Sequence, residues 1–167
     1  PGGLKLFENP DVFPRTWVVH RLLVANTRHQ VLDFILNKSD LLRTIAPIQN
    51  ASLSLEQCSG AEQLRIVENR PGRTVIDTEL RCRGMVILSD THFPGWQTRV
   101  DGRRTEIHEV YGFLRGVVVE GGRHRIEMSY RPRSVYAGGV MTAAGAALAL
   151  AAALSGLGRR KSGILTF

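Results

Sequence analysis

The sequence predicts a mostly β protein: an antiparallel, sandwich-like domain with one short helix, followed by a single C-terminal transmembrane α-helix. Three observations predict it. Short runs of alternating polarity are punctuated by Pro-Gly, Asp-Gly and Gly-Gly pairs, the turn chemistry of antiparallel sheets. Only one short helical pattern precedes residue 134. Residues 135–157 are uncharged, a length that matches a hydrocarbon core of about 30 Å. The chain therefore divides into a β-rich extracytoplasmic domain (1–133), a membrane helix (134–157) and a basic cytoplasmic tail (158–167).

The elements follow in order. Residues 1–14 are rich in turn formers, with Asn9-Pro10 and Phe13-Pro14 holding the backbone extended. Residues 15–24 read as one strand, rich in Val and Leu around Trp17. Asn26 or Thr27 caps a short helix over 28–36, whose apolar face carries Val31, Leu32, Phe34 and Ile35. Residues 41–45 form a further strand before Pro47. From Ala51 the period becomes two, at 52–55, at 64–67 and most clearly at 74–82. There Thr74, Ile76, Thr78, Leu80 and Cys82 share the inner face, and Val75, Asp77, Glu79 and Arg81 the outer one. Arg70-Pro71-Gly72-Arg73 turns a hairpin, and Asp101-Gly102 turns another between 98–100 and 103–107. Glu120-Gly121-Gly122-Arg123 joins strands 114–119 and 124–130 in the same way.

Composition narrows the function classes. The net charge is +7, and nucleic acid is the reflex reading of that balance. The arginines are spread over nearly every expected strand, however, and form no single stripe. Alternation such as Arg123-His124-Arg125-Ile126 marks the solvated face of a sheet, so no nucleic-acid partner is expected. Cys58 and Cys82 are compatible with a disulfide outside the cytoplasm or with two buried thiols. The chain opens on Pro1 with no basic and apolar leader behind it, as expected of a processed start or, the preferred reading, of a piece of something longer.

A buried core helix is the plainer account of residues 135–157, but such a helix seldom runs so long with apolar residues on every face. Alanine dominates the segment. Gly138, Gly139, Ala143, Gly145, Ala149 and Ala153 recur near four-residue spacing, which favours close approach of a neighbouring helix, although an alanine-rich helix shows that spacing by chance. Arg159, Arg160 and Lys161 follow the segment with no acid near them, which places the C-terminus in the cytoplasm. Lipid and other membrane helices are the expected partners.

Residues 88–133 carry the most specific pattern. It runs from Leu88-Ser89-Asp90 through Phe93-Pro94-Gly95-Trp96 and Asp101-Gly102 to Gly112-Phe113-Leu114-Arg115-Gly116-Val117, then Gly121-Gly122-Arg123-His124 and Tyr130-Arg131-Pro132-Arg133. In this order the motifs resemble the C-terminal domain of YfhO-type bacterial membrane proteins, polytopic proteins similar to the GT-C glycosyltransferases. Residues 7–15 resemble that domain's lead-in, while 49–73 match only in pattern. The resemblance implies a parent in the bacterial plasma membrane that transfers sugars from a polyprenyl-phosphate donor to cell-envelope polymers. It also implies possible contact of this domain with envelope glycan or a lipid-linked sugar. In GT-C-like proteins the catalytic acid lies in an early extracytoplasmic loop, so no catalytic residue carries over and this piece alone is expected to be inactive.

Read from chemistry alone, the candidate residues are mainly structural. Trp96 is a core anchor or, in a functional version, a stacking platform for a sugar ring. Arg115 holds a carboxylate, Asp90 or Asp101, or else stands exposed; in the functional version Asp101 and Arg115 bond sugar hydroxyls. Tyr130 closes the motif. The five histidines show no metal-ligand spacing, and no phosphate loop, nucleophile elbow or cysteine–histidine arrangement is visible. No metal or cofactor is expected. The alternative from another class is a stand-alone membrane-anchored binding or adhesion domain with no enzyme attached.

Overall fold

The computed structural model describes residues 4–49 and 51–161, those after Ser155 by backbone alone. Two compact units result, Pro1–Arg131 and Pro132–Phe167.

The first unit is a two-sheet β-sandwich. Its strands are β1 (Thr16–Val19), β2 (Arg21–Ala25), β3 (Ile45–Gln49), β4 (Gln63–Arg70), β5 (Arg73–Leu80), β6 (Gly84–Thr91), β7 (Trp96–Val100), β8 (Arg103–Thr105), β9 (His108–Val110), β10 (Leu114–Val119) and β11 (Gly122–Tyr130). Six form one sheet in the order β1-β6-β10-β9-β3-β2, and five form the other in the order β4-β5-β11-β7-β8. Ile76, Leu80, Val86, Leu88, Val117, Val119, Ile126 and Met128 fill the space between the sheets. A second core, on the other face of the six-stranded sheet, gathers Trp17, Val19, Ala46, Ile48, Met85, Ile87, Val110 and Tyr111.

β6 is therefore buried on both faces, which is why Met85-Val86-Ile87-Leu88 reads as a continuous apolar run and not as alternation. The run expected as one strand over 15–24 is two strands broken at His20. β1 pairs with β6 at one edge of the sheet and β2 pairs with β3 at the other. One residue separates them, so the sheet curls until its two edges meet at His20, with the second core inside the curl.

Other expectations are corrected. Residues 39–41 form a single 3-10 turn, and the strand lies at Ile45–Gln49, with Pro47 inside it. Pro47 is tolerated because its carbonyl still accepts from the Tyr111 N–H at 2.9 Å, while its nitrogen has no proton to satisfy. Residues 52–55 alternate in burial, Leu53 and Leu55 packing on the second core, but they join no ladder. That segment is an extended strap: the period of two reports backbone extension, which a strap shares with a strand. Glu120-Gly121-Gly122 is no hairpin, because β10 and β11 belong to different sheets. A Cβ on Gly121 would stand 3.0 Å from the Arg81 carbonyl oxygen and the Cys82 Cα, so glycine permits the close crossing. Cys82 lies beyond the end of β5, in the crossing to β6.

The remaining turns follow sequence chemistry. Asp101 and Gly102 take φ of 51° and 78°, the left-handed pair that a two-residue hairpin requires, and Gly72 takes 78° between β4 and β5. Helix α1 (Arg28–Asn37) is capped by Thr27, whose hydroxyl accepts from the Gln30 N–H while the Gln30 side chain returns to the Thr27 N–H. Val31 is buried and Ile35 packs on the core, but Leu32 and Leu36 face outward.

The second unit is helix α2, Arg133–Lys161. Its span Arg133–Ser155 is long and apolar enough to cross a membrane, and none of that span is buried. The basic triplet Arg159, Arg160 and Lys161 belongs to the helix backbone, so the helix outruns the apolar segment; the triplet's side chains and residues 162–167 lie outside the described residues.

Candidate functional site

Three of the four motif residues come together at one end of the inter-sheet core. Arg115 projects from β10 of one sheet toward β7 of the other, and its guanidinium carbon stands 3.7 Å from the centroid of the Trp96 ring. Trp96 is the register partner of Tyr130 across β7 and β11, with ring centroids 5.4 Å apart at 46°. Arg115 is 2% exposed. Such a cation persists in the interior only when paired, and its Nη2 meets the Asp90 carboxylate at 2.9 Å.

A register shift produces that pairing. Leu114 opposes Thr91 and the next residue, Arg115, opposes Leu88, so β6 carries two extra residues, Ser89 and Asp90, at this point. The bulge turns Asp90 toward Arg115, and the other Asp90 oxygen accepts from Arg15 at 3.1 Å. Of the two carboxylates considered for Arg115, the partner is Asp90. Burial pushes the Arg115 pKa down and Asp90 pulls it back up. Its Nε finds no partner, and Nη1 has only the Met128 sulfur at 3.8 Å.

This geometry bears on the sugar-platform reading. One face of Trp96 is covered by the Arg115 guanidinium, so a ring ligand has that face closed to it. Beside the pair, an open cleft of roughly 420 Å³ is lined by Asn69, Arg70, Thr91, Phe93, Trp96 and Arg115. Phe93 is exposed at its rim.

Asp101 stands elsewhere, on the outer side of the five-stranded sheet. Its Oδ2 lies 2.6 Å from His124 Nδ1, and its Oδ1 accepts from the Arg125 N–H at 2.8 Å. The hydrogen bond from His124 is the main cause lowering the Asp101 pKa, and the same bond raises that of His124. Asp101 thus ties the β7–β8 hairpin to β11. His124 Nε2 turns back to the Gly121 carbonyl at 3.3 Å, so both ring nitrogens are engaged within the domain.

A cluster that linear spacing does not reveal lies where the curled sheet meets itself. Cys58, on the strap, and Cys82 form a disulfide, which decides between the two readings of the pair. His20 Nδ1 is 3.6 Å from the Cys82 sulfur and 4.0 Å from that of Cys58. The cysteine–histidine arrangement that the sequence did not show is therefore present. Its members stand 38 and 24 residues apart in the chain, and no motif joins them.

Fold and side-chain chemistry together define a class: a two-sheet β-domain joined to an apolar helix of membrane-spanning length. The chain matches no protein-family model, no curated protein and no solved structure.

Proposed function

We propose that this chain is the extracytoplasmic closing module and last membrane helix of a larger polytopic membrane protein of YfhO-like type. In that reading the parent transfers sugars from a polyprenyl-phosphate donor to cell-envelope polymers in the bacterial plasma membrane. The module itself is non-catalytic: it holds its part of the transmembrane bundle and presents acceptor glycan or lipid-linked sugar near the parent's active site. The observation that carries the reading is α2. Val135, Tyr136, Val140, Met141, Leu148, Leu150 and Leu154 are all at least 62% exposed, over about two thirds of the helix circumference, a surface suited to lipid or to other membrane helices. Support for the β-module comes from the motif residues, which brace its interior: Arg115, held by Asp90 of its own sheet, lies on Trp96 of the other. Arg159, Arg160 and Lys161 after the apolar span favour a cytoplasmic C-terminus.

The test is expression in bacteria of the full chain and of a chain ending at residue 131. The full chain is expected in the membrane fraction after an alkaline wash, with its β-domain digested by protease added to spheroplasts; the shorter chain is expected in the soluble fraction. A full chain that stays soluble, or a domain protected in spheroplasts yet digested in inverted vesicles, overturns the reading. Retention of envelope glycan by the isolated chain, with no dependence on upstream helices, would favour the stand-alone adhesion module.

A further inference from the structure

The His20, Cys58 and Cys82 side chains offer three soft ligand atoms within 4.8 Å of one another. We propose that the reduced form of this cluster is a zinc-class metal site, and that disulfide and metal are mutually exclusive states of it.

The geometry is close to what a tetrahedral ion needs. With zinc–sulfur and zinc–nitrogen bonds of about 2.3 and 2.0 Å, a tetrahedral nitrogen–sulfur edge is about 3.5 Å. His20 Nδ1 stands 3.6 Å from the Cys82 sulfur and 4.0 Å from the Cys58 sulfur. The sulfur–sulfur edge has to open to about 3.8 Å, and the Nδ1–Cys58 edge has to close by about half an ångström. Cys58 is the residue free to make that movement: it is exposed on the strap, whereas Cys82 is half-buried in the crossing between sheets. The Cys58 sulfur is also 3.9 Å from Nε2, so it lies over the ring and must swing toward the Nδ1 side.

The imidazole is held for the purpose. Its Nε2 faces the Glu62 carboxylate at 3.0 and 3.1 Å, and Glu62 is fixed in turn by the Arg81 N–H at 3.0 Å. A carboxylate at one ring nitrogen keeps the proton there and leaves the lone pair of the other for a metal. Gly84 makes room for the ring, since a Cβ there would come within 2.8 Å of His20 Cε1. In the oxidised form Nδ1–H instead donates to the Glu56 carbonyl oxygen at 2.9 Å, so a metal must displace that proton; the same oxygen, 3.4 Å from the Cys82 sulfur, is the nearest fourth ligand.

The step balances with a dithiol or phosphine reductant. Two electrons and two protons convert the disulfide to two thiols, and the reductant is oxidised. Binding a divalent ion then releases the two thiol protons and the proton that Nδ1 shares with the Glu56 carbonyl, while Nε2 keeps its proton against Glu62.

The experiment uses the full chain in detergent, reduced with a phosphine and freed of reductant, with circular dichroism reporting folding throughout. Addition of cobalt(II) is expected to give the visible absorption of a tetrahedral thiolate site at one equivalent, bleached by one equivalent of zinc and absent from the oxidised chain. Glu62→Gln should weaken zinc binding by about 10- to 100-fold. Cys58→Ser should abolish the cobalt spectrum, and His20→Gln should shift it. A reduced, folded chain without the spectrum overturns the proposal, as does a spectrum indifferent to His20→Gln. A reduced chain that unfolds and does not refold on addition of zinc overturns it equally.

Discussion

Asp90 reaches Arg115 because β6 carries two residues more than β10 between neighbouring register pairs, and the buried guanidinium so fixed lies on the face of Trp96. The ion pair lies within the six-stranded sheet, between β6 and β10, and the cation–π contact it positions joins that sheet to β7 of the other. The two partners are unequal in burial: Arg115 is enclosed, while the Asp90 side chain is 29% exposed and also meets Arg15.

That inequality orders the effects of substitution. Asp90→Ala strands a buried cation and is expected to cost about 3 kcal/mol of unfolding free energy. Arg115→Met leaves Asp90 with Arg15 and water and should cost less. The double variant should be more stable than Asp90→Ala alone. Urea unfolding followed by tryptophan fluorescence measures all three, and equal costs for the two single variants would contradict the unequal burial.

Much of the fold was legible because turns announce themselves. Asp101-Gly102 takes left-handed backbone at both residues, and Pro71-Gly72 takes it at the glycine after a proline fixed near the opposite φ; few other pairs supply either. Residues whose neighbours are distant in the chain were not legible. Nothing near Ser89 signals a bulge, since that depends on how β6 registers with β10. The break at His20 was hidden because β1 and β2 have the same apolar composition and differ only in which sheet edge they join. Residues 52–55 misled for a related reason: Leu53 and Leu55 face the core on extended backbone, but no strand lies beside them to make a ladder. Arg115, Trp96 and Tyr130 were singled out from the sequence and do meet. Asp101 was grouped with them by proximity in the motif, but it follows the far end of β7, so the length of that strand separates it from Trp96 and Tyr130.

The disulfide pins the strap that covers the second core. Cys58 and Cys82 close a loop with a sequence separation of 24. Loop-closure entropy at that length corresponds to about 3 kcal/mol. Reduction, or Cys58→Ser with Cys82→Ser, should lower the urea midpoint accordingly, without metal present. Hydrogen exchange should rise first at the Glu56 N–H, which donates to the Arg83 carbonyl across the same junction.

Two glycines should differ in how they tolerate a methyl group. A Cβ on Gly116 would meet the Met85 sulfur at 2.9 Å and a Val110 methyl at 3.0 Å, both side chains, so Gly116→Ala should cost about 1–3 kcal/mol and be partly rescued by Val110→Ala. At Gly121 the obstacles are backbone atoms, which no side-chain substitution removes. Thermal unfolding of Gly116→Ala, Gly121→Ala and each combined with Val110→Ala separates the cases: rescue is expected at position 116 only.

The Asp101–His124 pair should give stability a pH dependence of definite sign. The folded pKa of His124 is raised above its ordinary 6.5, chiefly by the hydrogen bond to Asp101. Its contribution is therefore complete below 6.5 and is lost as pH rises through the higher folded value. The folded pKa of Asp101 is lowered from 3.8 by the same bond, so its contribution is complete above 3.8 and is lost as pH falls through the lower folded value. The pair thus stabilises most between those two ordinary values and less on either side. The difference in urea midpoint between the wild-type chain and His124→Gln should be largest near about pH 5 and should shrink toward about pH 9. Titration of the His124 ring protons by NMR should show a midpoint above 6.5 that returns toward it in Asp101→Asn. That substitution keeps the left-handed turn available, because asparagine tolerates the φ of 51° nearly as well as aspartate. A midpoint at or below the ordinary value would mean that the 2.6 Å contact does not hold the imidazolium in solution.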